Sequence, residues 1–137
     1  MVDKELNWGW QDAEVFLPTI SVIITTWRRP EQLRLSLEAW KRQIYPAHEI
    51  IVTEDDEPQE ATIELLKSYS FAYMAHGRTL DEVGEGIWDQ AETINRGVAA
   101  SSGNVLQIIQ EDIIVPPDFL YWLASTIAPS SIIFPLI

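Results

Sequence analysis

Residues 104–120 read NVLQIIQEDIIVPPDFL, an apolar run that ends in the acid pair Glu111-Asp112 and then passes through Pro116-Pro117. A short, continuously apolar run of this kind is a buried strand, and proline next to a helix start is tolerated because its missing N–H would lack a partner there anyway. The acids therefore fall at the carboxyl end of a strand, the edge at which open α/β sheets bind ligands. Hard divalent cations take oxygen ligands, and Mg²⁺ or Mn²⁺ is often held by one or two carboxylates together with substrate phosphates. Taken by itself, the pair suits a metal-bound phosphorylated ligand and a solvated loop equally well.

Outward from this stretch the chain alternates strands with helices. Residues 20–26 (ISVIITT) and 105–109 are continuous apolar runs, as strands covered on both faces should be. Further strands are predicted at 49–53, 71–75 and 131–136. Pro30 opens a helix over 30–43 in which Leu33, Leu37, Trp40 and Ile44 share one face, with Glu31 in the first turn and Lys41 and Arg42 in the last, as the macrodipole favours. Helices are also predicted at 59–68, at 88–100 with Ile87, Ala91, Ile94 and Val98 turned inward and Gly103 as the stop, and at 117–127. Such alternation implies a parallel sheet with right-handed crossovers. The expected strand order is 3-2-1-4, with Ile23 and Ile108 both buried.

At 137 residues the chain fits one domain, here residues 19–137 preceded by an arm, 1–18, whose Trp8 and Trp10 would cover a core edge. With 47% hydrophobic and 22% charged residues it is globular rather than disordered. The 21 acids outnumber 9 bases, and the net charge of -12 repels nucleic acid and anionic membrane surfaces, so no nucleic-acid partner is expected. There is no cysteine, which excludes disulfides and thiolate chemistry and suits the cytoplasm. No apolar stretch approaches the ~20 residues of a transmembrane segment, and residues 1–16 lack the pattern of a signal peptide. The expected location is cytoplasmic or peripheral to a membrane.

Polar residues follow three of the strands: Thr25 to Arg29, Glu54 to Glu57, and Gln110 to Asp112. Convergence of such ends around a switch point would make a nucleotide pocket, in which acids accept from base or ribose, Trp27 stacks and Arg29 offsets phosphate charge. Each segment alone has another reading. Residues 54–57 could be a solvated charge run, Trp27 a core residue, and Arg28 and Arg29 surface cations.

Three segments, PTISVIITTWRRPEQLRLSLEAWKRQIYP, HEIIVTEDD and NRGVAASSGNVLQIIQEDIIVPPDFL, resemble in order the nucleotide-binding half of a family 2 glycosyltransferase with the GT-A fold, and span about half of the chain. The resemblance implies a Rossmann-like, mostly parallel sheet flanked by helices and an inverting transfer of sugar from a nucleoside diphosphate sugar, with a UDP-sugar the first expectation. It implies that Thr25, Trp27, Arg29 and Asp55 line the nucleotide pocket, with Asp55 on the base. Glu111 would approach the ribose, and Asp112 would hold Mn²⁺ or Mg²⁺ as the last acid of the family's Asp-x-Asp motif. The sequence departs from the family in three places. Gln110 stands where many members have the first aspartate, Arg28 stands where a small amide is common, and TEDDEP replaces an Asp-Asp-Gly-Ser type of loop.

The acceptor's general base lies in the family's other half, so it is expected beyond Ile137 in a domain truncated at its C-terminus. The chain would then bind donor without transferring sugar, and would self-associate through the apolar surface around Ile132, Ile133 and Phe134. If a base does lie within the chain, Glu54, Asp56 and Glu111 are the first to test. The other class of function is a non-catalytic nucleotide-binding or interaction module that retained the fold.

Smaller motifs carry less. Gly84-Glu85-Gly86 lacks the preceding strand and the third glycine of a dinucleotide fingerprint. His48 and His76 have no partner at metal-ligand spacing and read as structural, as do Ser101-Ser102-Gly103 at a helix end with no base placed near them. Arg96 reads as an exposed helix residue, with a phosphate contact as the alternative.

Overall fold

The computed structural model describes residues 17–75 and 90–127. Four strands, β1 (Ile20–Thr26), β2 (Glu49–Glu54), β3 (Ala72–Ala75) and β4 (Val105–Gln110), form one sheet in the order β3-β2-β1-β4. All three pairings are parallel. The helices are α1 (Pro30–Lys41), α2 (Glu60–Leu66), α3 (Gln90–Ala100) and α4 (Phe119–Thr126). The order and orientation agree with expectation, and element ends shift by one or two residues. The strand expected at 131–136, the arm with Trp8 and Trp10, Ile87, Trp88, His76, the Gly84-Glu85-Gly86 loop and the patch at 132–134 lie outside the described residues.

Strand alternation sorts the core. Ile20, Val22 and Ile24 of β1, with Ile50 and Val52 of β2, pack against Leu33, Leu37 and Trp40 of α1, Leu66 of α2 and Leu120 and Leu123 of α4. Fully burying a leucine such as Leu33 or Leu37 of α1, or Leu120 of α4, contributes about 1.5–3 kcal/mol. The opposite face carries Ile23 and Thr53, over which α3 lies at Gly97.

Three burial expectations are corrected. Ile108 is 42% exposed although it is level with buried Ile23, because among the described residues β4 pairs with β1 alone and the α3 helix lies over β1, β2 and β3. Ile44 is 71% exposed, since α1 ends at Lys41 and the chain turns so that the Ile44 N–H donates to the Pro117 carbonyl at 2.9 Å. The buried face of α3 is Thr93 and Gly97, with Ile94 and Val98 half-buried beside it and Ala91 exposed. An apolar-only count of the helix period misses a face built from a threonine and a glycine.

The 113–117 segment after the acid pair is tied to α1. Ser36 Oγ donates to the Ile113 carbonyl at 3.2 Å and Gln43 Nε2 to the Pro116 carbonyl at 2.7 Å. Gln43 Oε1 in turn accepts the Leu120 N–H at 2.9 Å, satisfying one of the open donors in the first turn of α4 that Asp118 leaves uncapped.

Candidate functional site

Register brings the three polar strand ends together. Thr26 is level with Glu54 and Thr25 with Gln110, so the residues that follow β1, β2 and β4 share the carboxyl edge of the sheet. Two backbone bonds hold these loops to β1: Asp55 N–H donates to the Thr26 carbonyl at 3.0 Å, and Glu111 N–H to the Thr25 carbonyl at 3.1 Å.

The acids at the end of β2 are not a solvated run. Glu54, Asp55 and Asp56 are buried, and only Glu57 is exposed. Alternation gives them different surroundings. Asp55 turns to the α3 side, where Thr93 Oγ1 donates to its Oδ1 at 3.0 Å. Glu54 turns to the α2 side, where its Oε1 accepts the Arg28 N–H at 2.9 Å and its Oε2 accepts the Thr62 hydroxyl at 3.1 Å. Asp56 receives Arg28 Nε in an ion pair and also accepts the Glu57 N–H at 2.7 Å. Nearby, Tyr73 accepts the Gln59 N–H at 3.0 Å, and burial pushes its hydroxyl up to about 12, helped by the charges of Glu54 and Asp56.

On the β1 side, Trp27 is 41% exposed and so is no core residue. Arg28 has a φ of 50°, in the left-handed region, and its guanidinium lies 6.0 Å from the centre of the Trp27 ring. Arg29 is half exposed and pairs with the largely buried Glu111, its Nη1 lying 3.6 Å from Oε1. Thr25 is buried and its hydroxyl lies 3.5 Å from the Ile109 carbonyl, so it braces the β1–β4 seam. Asp112 is exposed and makes no hydrogen bond or ion pair among the described residues. Burial raises the Glu111 carboxyl, an effect that Arg29 and the backbone N–H groups of Glu111 and Trp27 oppose.

Burial likewise raises Glu54 above its ordinary 4.5, against the bonds from Arg28 and Thr62. A carboxyl raised by folding contributes stability that is fully present below pH 4.5 and is lost as pH rises through the raised value. Glu54→Gln removes this titration and keeps an acceptor. Its melting temperature relative to wild type is therefore expected to climb as pH goes from about 4 to 7. A difference between the two proteins that stays flat across that range would mean Glu54 is not raised.

Sequence reasoning named Glu54 and Asp56 but not their burial, it missed Thr93 as the partner of Asp55, and it missed one cluster at the opposite edge. There His48 Nε2 lies 2.9 Å from Ser102 Oγ, so a ring nitrogen does face this serine. Glu49 Oε1 takes both the Ser102 N–H, at 2.5 Å, and its hydroxyl, at 3.1 Å, and accepts Ser21 Oγ at 2.6 Å. The cluster joins the end of α3 to β1 and β2. Arg96 pairs with Glu92 one turn earlier on the surface of α3, 3.3 Å from Nε to Oε1.

A family model described as glycosyl transferase family 2 matches residues 21–130, four-fifths of the chain. The chain belongs to glycosyl transferase family 2. Among solved structures, this family 2 chain is similar to the mannosyltransferase PcManGT from Pyrobaculum calidifontis in complex with GDP-Man and Mn²⁺, with a TM-score of 0.65 and 17% identity over 91% of this chain and 40% of that one. It is also similar to glucosyl-3-phosphoglycerate synthase from Mycobacterium tuberculosis in complex with Mn²⁺, uridine-diphosphate and phosphoglyceric acid, with a TM-score of 0.62 and 22% identity over 83% of this chain and 40% of that one. S. aureus TarS aligns with a TM-score of 0.63 and 16% identity over 78% of this chain and 19% of that one. The likeness establishes the GT-A, Rossmann-like fold. The chain spans 40% or less of the length of these three structures. No curated protein matches the sequence.

Among the described residues no three His, Cys, Asp or Glu side chains group to hold a metal ion, and no helix is long and apolar enough to cross a membrane. Within the family 2 chain, the donor set just past β4 is the exposed carboxylate of Asp112, which has no partner among the described residues, beside Glu111, which is already paired. That set fits a hard cation shared with a ligand's phosphates and does not fit an all-protein cage.

Proposed function

We propose that this chain is the nucleotide-sugar-binding part of a glycosyltransferase that moves a sugar from a nucleoside diphosphate donor to an acceptor hydroxyl with inversion. The observation that carries the reading is the register of three parallel strands, which sets Trp27, Arg29, Asp55, Glu111 and Asp112 along one sheet edge. Asp55 serves the base, Trp27 offers a ring face to it, Thr25 braces the pocket floor, and Glu111 serves the ribose. Arg29, exchanging Glu111 for phosphate, offsets the negative charge of the diphosphate. Asp112 would hold Mn²⁺ or Mg²⁺, which when bound supplies electrostatic stabilisation of the departing diphosphate. The GDP-Man, uridine-diphosphate and Mn²⁺ named for the similar structures support a nucleoside diphosphate and a divalent cation, with UDP the donor base to test first.

Deprotonation of the acceptor falls to a group other than Glu54 or Asp56, since both are fully buried and already bonded. A reading as a nucleotide-binding module without transfer rests on the same pocket, and turnover separates the two. The direct test is titration of UDP, GDP, ADP and CDP into the protein with and without Mn²⁺. Saturable binding of at least one diphosphate, tightened by Mn²⁺, is expected. No binding by any of the four would end the reading, and sugar transfer by a longer chain carrying these residues would decide for the enzyme over the module.

A further inference from the structure

Arg28 sits at a conformation that non-glycine residues rarely adopt, since a left-handed φ crowds Cβ against the backbone. Such a residue persists only where its surroundings over-determine it. Two contacts do so: the Arg28 N–H donates to Glu54 Oε1 at 2.9 Å, and its guanidinium pairs with buried Asp56. Glu54 is 0% exposed, and its second oxygen is occupied by the Thr62 hydroxyl from α2. One water-excluded carboxylate thus reaches the β1–α1 turn with one oxygen and α2 with the other. The turn it holds is the one that carries Trp27 outward and brings Arg29 to Glu111.

We infer that Glu54 is a positioning residue, locking the turn at Arg28 in its left-handed form so that Trp27 and Arg29 are presented together to a nucleoside diphosphate that Glu54 itself does not touch. The ligand half of this inference rests on the nucleotide reading of the site, whereas the lock does not. Charge is not what the lock requires. It requires an acceptor of the right reach, which glutamine keeps and leucine lacks.

The experiment compares wild type with Glu54→Gln, Glu54→Leu, Arg28→Gly and the double variant Glu54→Leu/Arg28→Gly. Each is read by UDP titration in Mn²⁺, by hydrogen exchange of the residue 28 amide and by circular dichroism. Glu54→Gln should bind UDP within roughly threefold of wild type with the amide still protected, and Glu54→Leu should lose about tenfold or more in affinity and lose that protection. Glycine reaches positive φ without steric cost, so the double variant should return to within roughly threefold of Arg28→Gly alone. That rescue is a result that a merely structural carboxylate would not produce. Unchanged UDP affinity in Glu54→Leu despite an unprotected amide overturns the inference and leaves the nucleotide reading intact. Wild type that binds no diphosphate overturns the nucleotide reading, and amide protection in Glu54→Leu equal to wild type overturns the lock by itself. If Glu54→Leu does not fold, Glu54→Asp, one methylene shorter, makes the same comparison, and affinity and protection equal to wild type would overturn the lock.

Discussion

Gly97→Leu is expected to destabilise the protein by about 3 kcal/mol, read as a drop in the urea midpoint with an unchanged slope. Even a bare Cβ at this position would lie 2.6 Å from Ile23 Cγ2 and 3.1 Å from Thr53 Cγ2. Neither neighbour can yield cheaply, because both are buried, β-branched residues in paired strands of the sheet. Replacing glycine within a helix gains up to about 1 kcal/mol of helix propensity, less than the cost of overpacking, so the clash decides the sign. Gly97→Ala should therefore also destabilise, by a smaller margin. The effect extends to the site, since α3 carries Thr93 to Asp55, and a displaced helix withdraws that hydroxyl. A Gly97→Leu protein as stable as wild type would show that α3 docks differently.

Asp112→Asn is expected to erase the Mn²⁺-dependent increment of UDP binding, a loss of roughly 1–3 kcal/mol for one charged contact. The substitution keeps size and removes charge, and no protein partner is abandoned, because Asp112 is exposed and unbonded among the described residues. Stability should hardly change. Asp55→Ala should behave differently, weakening uridine as well as UDP by roughly 1–3 kcal/mol and lowering stability, because Asp55 is buried and accepts the Thr93 hydroxyl. Calorimetric titration of uridine and UDP, each with and without Mn²⁺, separates the two roles. Equal Mn²⁺ enhancement in wild type and Asp112→Asn would remove the metal role from Asp112.

The chain's alternation of apolar runs with helical periods was enough to derive the parallel pairing, while the strand order matched the GT-A type that the sequence resembles. Continuous β-branched runs such as ISVIITT have few alternatives to a doubly covered strand, and Pro30, Glu31 and Lys41 mark the ends of α1 through local chemistry alone. The positions of Trp27, Asp55, Glu111 and Asp112 just past strand ends were legible for the same reason, since strand polarity sets which end carries them.

What local pattern could not reach was the environment of each side chain. The charged stretch at the end of β2 looks alike from Glu54 to Glu57, yet alternation at the sheet edge sends Glu54 to Thr62, Asp55 to Thr93 and Asp56 to Arg28, and leaves Glu57 exposed. Those partners lie 8 to 38 residues away along the chain. Only the register of parallel strands, summed over the whole sheet, brings them within hydrogen-bonding reach. The same holds for Ile108, an apolar residue in an apolar run whose exposure depends on where α3 lies, and for Gly97, whose lack of a side chain gains meaning only against Ile23. Composition and periodicity determined the α/β architecture and the edge at which ligand-binding groups collect, because both follow from short-range sterics and burial. Tertiary structure alone decided which acids are buried and committed and which stay exposed, because each assignment depends on contacts between segments far apart in the chain.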